Sequence, residues 1–426
     1  MLQTIITFVL VFGVIVVIHE FGHFFFAKRS GILVREFAIG MGPKIFYHRG
    51  KDGTAYTIRL LPVGGYVRMA GQGDEEAEIH PGTQLSVVLD ENEVVQRINL
   101  SSKKQLANAV PMEVMEVDLE DNLFVKGYVN GDDSDPVLYK VAHEATIIEQ
   151  DGTEILIAPR DVQFQSAKLW QRMLTNFAGP MNNFILGTII FILLVFLQGG
   201  VATGNTNRIG EVGADTPAAR AGLRENDEIL SIDGKEIHTW NDLTSAIAPN
   251  PNNELTMIVK DAHKTREVQI TPILNPNPNI EQATGIIGIT QPLDRSVGAL
   301  ITGGFRLAWQ TSLVIFQAIG QLISRPSLNQ LGGPVMMFEM SREASQAGLP
   351  TILSLMAMLS MNLGMMNLMP IPALDGGKLV LNIIEAIRRK PLSPEKEGII
   401  TLIGAGFMVL LMILVTWNDI SRFFLR

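Results

Sequence analysis

The 426-residue sequence contains no cysteine. Disulfides and cysteine-ligated zinc are therefore excluded, and the redox compartment leaves no mark on the composition. Charge is scarce as well. Asp, Glu, Lys and Arg make up 18% of the chain, against roughly 25% in soluble domains. Hydrophobic residues reach 47% and mean hydropathy is +0.23. This balance points to an integral membrane protein, long enough for a membrane core plus one or two outer domains of about 100 residues each. No basic, aromatic-laced stretch suits a nucleic acid, so none is expected as a partner. The N-terminal apolar run lacks the basic start and small-residue cleavage site of a signal peptide. Residues 2–27 are therefore expected to stay as a membrane span.

The charge that is present falls unevenly. Residues 74–165 hold 20 acidic against 6 basic side chains, a net of −14, so the rest of the chain carries +5. Three more runs have the character of spans, at about 174–197, 352–369 and 398–416. The first of them must take in Asn176, Gly179, Pro180, Asn182 and Asn183. Lys28, Arg29, Arg35 and Lys44 follow the N-terminal span, and Lys168 and Arg172 precede the second. Lys378, Arg388, Arg389, Lys390 and Lys396 join the last two. Basic connections face the cytoplasm, so both termini are expected outside.

Within the first span lies His19-Glu20-Phe-Gly-His23. Residues four apart share one face of a helix, so His19 and His23 can bind one metal ion. Glu20 is then placed to act as a general base toward water. Imidazoles and a carboxylate are costly in lipid, which implies a function and further partners for them. The third ligand is expected at the end of the third span, in Asn367-Leu-Met-Pro370-Ile-Pro372-Ala-Leu374-Asp375-Gly376-Gly377. Two prolines break backbone pairing there, and Asp375 offers an oxygen at the same depth. Two histidines and an aspartate with a fourth position open make a catalytic site, unlike a closed structural one. Residues 297–323 are apolar enough for a fifth span. A fifth crossing, however, would bring Asp375 out on the wrong face, so they are expected to lie as an interfacial helix.

The remaining segments suggest accessory parts. Ala55–Leu61 and Tyr66–Met69 flank Pro62-Val-Gly64-Gly65, which is expected to be a hairpin turn. Such a hairpin could pair with an extended substrate or simply pack on the helices, and both readings fit. Short β-type runs in 74–165 predict a small β-rich cytosolic insert with a solvated acidic surface. Residues 208–272, from Thr216-Pro-Ala-Ala-Arg-Ala-Gly-Leu to Asp227-Glu-Ile-Leu-Ser-Ile-Asp-Gly234 and a helix over 240–247, resemble a bacterial PDZ domain. It would bind peptide ends with a groove strand near 285–289, or serve only as a spacer or gate. An Asn/Pro linker at 275–279 follows.

His19-Glu-Phe-Gly-His23 together with Asn367, Leu374, Asp375 and Gly376 resembles the paired signature of the site-2 protease family of intramembrane zinc metalloproteases. Gly40-Met-Gly42, Gly64-Gly65-Tyr66, Gly179-Pro180 with Asn183-Phe184, and Leu331-Gly-Gly-Pro334 are similar to its bacterial RseP/RasP/Eep members, most of all to the Gram-positive Eep/RasP branch. The Gram-negative RseP type differs in having two PDZ domains and no block like 74–165. The resemblance implies one zinc ion on His19, His23 and Asp375, with Glu20 as catalytic base. It implies transmembrane protein substrates, often trimmed first by another protease, such as anti-sigma factors and signal-peptide remnants. Asn367 and Asn183 would hold the substrate, and Leu61, Gly64, Gly65 and Tyr66 would pair with it as a strand.

The expected fold is a polytopic α-helical membrane protein with four transmembrane helices, a membrane-associated β-hairpin, a cytosolic β-rich insert and one extracytoplasmic PDZ domain. Its parts are 1–73 (first span and hairpin), 74–165 (insert), 166–200 (second span), 201–292 (PDZ domain), 293–348 (interfacial amphipathic helices) and 349–426 (third and fourth spans). The expected location is the plasma membrane, with the lipid bilayer as a partner and the active site near the cytoplasmic side. Three rival readings are a membrane-anchored protease of soluble proteins, a PDZ scaffold with a structural metal, and a zinc transporter. The Leu-Asp-Gly at a span's end, a required Glu20, and a single polar site with no relay across the bilayer distinguish the intramembrane protease from each in turn. Asn182 and Asn183 could equally be glue between helices.

Overall fold

The computed structural model describes residues 1–71, 79–203, 206–261, 264–275 and 284–424. The expected linker from 276 to 279, and His263, lie outside them. The chain divides into two compact units, Met1–Ile190 with Ala308–Arg426, and Phe191–Leu307.

In the larger unit, α1 (Leu2–Arg29) is apolar from Phe8 to Ile18 and carries His19, Glu20 and His23 beyond that run. Its buried stripe is Thr4, Thr7, Val11, Ile15, His19, Gly22 and His23, while Leu2, Ile5, Ile6, Leu10, Val14, Phe21 and Phe25 stay exposed. The three- and four-residue steps put both histidines on the face that packs inward. Two long strands follow, β1 (Val34–Arg49) and β2 (Ala55–Met69). Each bends and is used twice. Residues 34–40 pair with 65–69 on one side and with 55–58 on the other, while 44–49 pair with 55–59. The order across the sheet is thus 65–69, 34–40, 55–61, 44–49. The expected hairpin, in which Ala55–Leu61 would pair directly with Tyr66–Met69, does not form. The buried run from Val34 to Ala38 takes the place between them. Gly40 and Gly42, both at positive φ (86° and 83°), allow the bend in β1.

Glu36 locks this sheet. Its carboxylate accepts from Thr57 Oγ1 (2.5 Å), Arg59 Nη2 (2.7 Å) and Tyr66 Oη (2.9 Å), drawing three strand segments together. A carboxylate only 3% exposed is tolerable because every donor it needs is supplied.

The acidic region contains six strands, β3 (Gln84–Leu89), β4 (Val95–Asn99), β5 (Val110–Asp118), β6 (Phe124–Val129), β7 (Asp132–Ile148) and β8 (Glu154–Leu156). They run β4-β3-β5-β6-β7-β8, and a parallel β4–β7 pairing closes five of them into a barrel. Closure removes free edges from a charged domain. Val87, Val95, Ile98, Val125, Ala145 and Ile155, each 0% exposed, fill it. The barrel holds the 44–49 edge of the β1–β2 sheet. Lys44 Nζ bonds Thr153 Oγ1 (2.6 Å), Tyr47 Oη donates to the Glu154 carbonyl (2.8 Å), and Arg49 pairs with Glu154 (3.2 Å).

The helix α2 (Leu169–Leu197) contains Pro180, which has no N–H to give the carbonyl four residues back. The second unit then holds β9 (Val201–Ala202), α3 (Pro217–Arg220), β10 (Glu228–Ile232), β11 (Lys235–Glu236), α4 (Trp240–Ile247), β12 (Leu255–Lys260), β13 (Thr265–Ile270), β14 (Ile273–Leu274), β15 (Gly285–Ile286) and β16 (Leu293–Asp294). A sheet ordered β11-β10-β12-β13 packs around Ile209, Ile229, Met257 and Val259, all 0% exposed. Thr239 and Asp242 form a reciprocal cap at the start of α4.

Five helices close the chain: α5 (Val297–Ser324), α6 (Pro334–Ala347), α7 (Leu349–Asn367), α8 (Asp375–Arg388) and α9 (Pro394–Phe424). By length and composition alone, five helices among the described residues could cross a membrane, at Leu2–Arg29, Leu169–Leu197, Val297–Ser324, Leu349–Asn367 and Glu395–Arg422. Four were expected, with 297–323 assigned to the interface. Gln3 Nε2 donates to the Ser345 carbonyl (2.8 Å) just before α7 begins. The other end of α7 leads to Asp375 beside His19 and His23. The two helices therefore run side by side in one direction.

Candidate active site

Three elements converge on one point. The fifth and sixth turns of α1 supply His19, Glu20 and His23. The helix α2 crosses behind them at Ala178 and Gly179. At Gly179 a Cβ would lie 2.2 Å from His23 Nε2 and 2.8 Å from His19 Cε1, so any other residue there would occupy the space of the imidazoles. From the third side comes Asp375, the first residue of α8. A Cβ at Gly376 would lie 2.3 Å from the Met369 carbonyl oxygen. The glycine after Asp375 thus lets the proline-broken connection lie directly against the helix start.

His19 Nε2 and His23 Nε2 are each 3.3 Å from Asp375 Oδ2, and 3.4 Å from one another. These are nearly equal edges of a triangle. A tetrahedral ion with nitrogen and oxygen ligands at about 2.0–2.1 Å sets its ligand atoms roughly 3.3 Å apart. Asp375 Oδ2 is buried and accepts no hydrogen bond among the described residues. His23 Nδ1 donates to the Thr175 carbonyl (2.8 Å), which leaves a neutral ring with its lone pair on Nε2, facing the triangle. Both rings are more than nine-tenths buried. The donor set, its spacing and its orphaned oxygen fit a divalent ion with a preference for nitrogen and oxygen ligands. His19, His23 and Asp375 are the one such group among the described residues.

Asn183, expected at the substrate, lies against His19. It is 0% exposed, and its carboxamide rests on His19 Nδ1 at 3.1 Å. A His19 that ligates through Nε2 carries its proton on Nδ1 and must donate it. The side-chain oxygen of Asn183 is the acceptor for that proton, and this Oδ1 is otherwise left buried without a partner. With the amide turned by 180°, Oδ1 meets the Nδ1 proton of His19. Asn183 is thus placed to position His19. Asn182 Nδ2 donates to the Ile18 carbonyl (3.0 Å) and ties α2 to α1.

The other expected substrate residues fall into two groups. Asn367 ends α7, half-buried, with its carboxamide unbonded among the described residues. Gly65 sits against the active-site helix, where a Cβ would lie 3.1 Å from Val16 Cγ1 and 3.2 Å from Glu20 Cγ. Gly64 turns at φ 78°. Tyr66 is held by Glu36 beneath the Arg59 guanidinium, and Leu61 is 55% exposed. The 65–69 segment is an outer strand of its sheet, and its far side pairs with no strand among the described residues.

Two parts of the site gave little sequence signal. Thr175 acts through a backbone carbonyl, which no residue type announces. The Arg172–Glu385 pair, bidentate at 2.9 and 2.5 Å, ties α2 to α8 and so to Asp375. Its partners stand 213 positions apart. Among the described residues, His48, His80, His143 and His238 take no part in the triangle.

The chain is similar to known proteins. The sequence model of Peptidase family M50 matches residues 7–411. The chain is 60% identical over 424 residues to the Enterococcus faecalis protein named "Probable protease eep", covering 99% of this chain and 100% of that one. It is 53% identical over 421 residues to a Streptococcus pyogenes protein named "Putative zinc metalloprotease", covering 99% of each. Among solved structures, the PDZ domain of an SdrC-like protein from Listeria monocytogenes covers 21% of this chain and 92% of its own, at 23% identity and a TM-score of 0.18.

Proposed function

This chain belongs to peptidase family M50, the site-2 protease family of zinc metalloproteases, and on that premise we propose that it cleaves peptide bonds inside the membrane-spanning segments of single-span proteins. The observation that carries the proposal is the triangle of His19, His23 and Asp375 around an orphaned carboxylate oxygen, set within apolar helices.

Zinc bound there would supply Lewis acidity, polarising the scissile carbonyl and bringing the pKa of water toward neutrality. The chain's own residues do the rest. His23 is fixed in one tautomer by Thr175 and His19 by Asn183, so both lone pairs stay aimed at one point. Glu20 accepts a proton from the attacking water and returns it to the leaving amine. Its carbon chain lies against Gly65, so base and sheet edge are neighbours. A transmembrane helix hides its peptide bonds in internal hydrogen bonds and must unwind before attack. The open 65–69 edge offers those freed groups new partners, and Asn367 offers a free carboxamide at the end of α7. Met41, Ile45, Phe46, Ile58, Leu60 and Leu61, all exposed, suit a sheet tip that dips into lipid.

Four crossings fit better than five. Asp419, near the end of α9, accepts from the N–H groups of Gly333 (2.9 Å) and Met336 (3.1 Å). The start of α6 is thereby held at the extracytoplasmic end of α9. If α5 crossed inward, residues 325–333 would have to return through the bilayer. Fully extended they reach about 30 Å, the whole hydrocarbon thickness of roughly 30 Å, and 328–330 are coiled in a 3-10 turn. We therefore assign α5 to the outer interface, both termini to the outside and the active site to the cytoplasmic side. The second unit then lies outside, where a PDZ domain could admit substrates already shortened by another protease.

The test is cleavage of a single-span substrate by the purified chain in lipid, with the cut mapped by mass spectrometry. A cut within the span, lost in Glu20→Gln while zinc stays bound, is the expected result. Cuts confined to soluble parts of the substrate, or equal cutting by the variant, would overturn the proposal.

A further inference from the structure

The helix that begins with Asp375 has two unlike faces. Gly376, Gly377 and Asn382 are buried, and Glu385 is clasped by Arg172. On the other side Val380, Ile383, Ile384 and Ile387 are 38%, 46%, 36% and 78% exposed. Their spacing of three, four and seven residues makes one continuous apolar stripe. The helix ends in Arg388, Arg389 and Lys390, all exposed and without an ion pair among the described residues. Asn367 ends one apolar helix shortly before it, and Pro394 begins another shortly after.

We propose that α8 is an interfacial anchor that lays Val380, Ile383, Ile384 and Ile387 into the cytoplasmic leaflet, with Arg388, Arg389 and Lys390 on anionic lipid headgroups, and that this contact sets the position of Asp375. Three observations select a lipid surface as the occupant. The helices that flank α8 in sequence, α7 and α9, are both apolar enough to cross a membrane. The basic triplet lies where the stripe ends, as in helices that rest at a membrane surface. The acidic surface potential of the inner leaflet complements that triplet. The buried face carries the consequence to the reaction. Arg172 and Glu385 join α8 to α2, the helix that orients His19 and His23, so the depth of α8 bears on how Asp375 meets them. The proposal rests on the membrane assignment above and adds that anionic lipid is a positioning partner.

The lack of cysteine permits a direct test. Ile387→Cys, or Ile383→Cys should the first fold poorly, gives the full chain a single spin-label site, and Lys390→Cys a reference. Each is reconstituted in phosphatidylcholine vesicles with or without phosphatidylglycerol. At 387 or 383 the label should meet oxygen in preference to a nickel chelate, and it should sit deeper with phosphatidylglycerol. At 390 it should meet the chelate freely. Replacing Arg388, Arg389 and Lys390 with Gln should move the label at 387 toward water. It should also cut cleavage about three-fold or more in anionic vesicles, with bound zinc unchanged and little effect in neutral ones. The proposal is overturned if the chelate reaches 387 as freely as 390. It is overturned too if the label is immobilised and shielded from both reagents, as beneath a second copy or a protein partner. Lipid-independent depth and rate would also end it. The depth readout needs no proteolysis, so its failure is distinct from failure of the protease assignment.

Discussion

Asp375 and Glu154 are almost equally buried, with side chains 12% and 11% exposed, yet they sit in opposite environments. Glu154, in the acidic barrel, is saturated. Arg97 gives it two bonds (3.0 and 2.8 Å), Thr146 one (2.9 Å) and Arg49 one (3.2 Å). Asp375 has an oxygen with no donor and faces two imidazole nitrogens. Burial of a carboxylate is therefore no guide to function by itself. What separates the two is whether the protein satisfies the group or leaves room for something else to do so. The barrel spends its charges on holding itself and the β1–β2 sheet. In the membrane core His19, His23 and Asp375 instead present a donor set with the spacing that suits a zinc ion.

That contrast can be broken or sharpened by mutation. The largest loss is expected from Glu20→Gln, where cleavage should fall about 10²–10⁴-fold, the usual range for a lost general base, with zinc content unchanged by metal analysis. Gly65→Val comes next. Its side chain meets Ala38, Val16 and Glu20, and the displaced edge should slow cleavage by up to about 100-fold while zinc stays bound. Asn183→Leu removes the acceptor from His19. Zinc affinity in a chelator competition should fall roughly 10–100-fold, and Asn183→Asp, which restores an acceptor oxygen, should recover much of it. Glu154→Gln should leave zinc and the cleavage rate at neutral pH unchanged but loosen the barrel, since a hydrogen bond to a charged group contributes about 1.5–3 kcal/mol.

Acid should expose the same difference. Burial pushes the Glu154 carboxyl up, but hydrogen bonds from Arg97 and Thr146, with the charges of Arg97 and Arg49, bring it below its ordinary value. A carboxyl depressed in the folded state stabilises above its unfolded pKa and loses that contribution as pH falls through its folded one. The barrel should therefore loosen below about pH 4, and Glu154→Gln should flatten that limb of a melting-temperature profile.

The sequence made the candidate ligands legible and hid their surroundings. His19, Glu20 and His23 sit at helical spacing in an apolar run, and Asp375 follows two prolines at the end of another, so local pattern sufficed. The sheet was misjudged because adjacency suggested that 55–61 pairs with 66–69. The buried 34–40 segment, closer to both in space, comes between them. For Asn183 the sequence left a substrate role and glue between helices both open, because a polar residue in a span implies a role without saying which. Only the fold shows it behind His19. The separate helix α8 was folded into the third and fourth spans, since its stripe lies within an otherwise basic connection. Barrel closure through β4 and β7 depends on parallel strands far apart in sequence, for which no local signal exists.

The most direct measurement is zinc content in the purified full chain, comparing the natural sequence with Asp375→Asn and Glu154→Gln. The account predicts about one zinc per chain in the natural sequence and in Glu154→Gln, and a loss in affinity for Asp375→Asn exceeding the roughly 10–100-fold of an outer-shell change. Full zinc retention by Asp375→Asn, or equal loss from both variants, would contradict it.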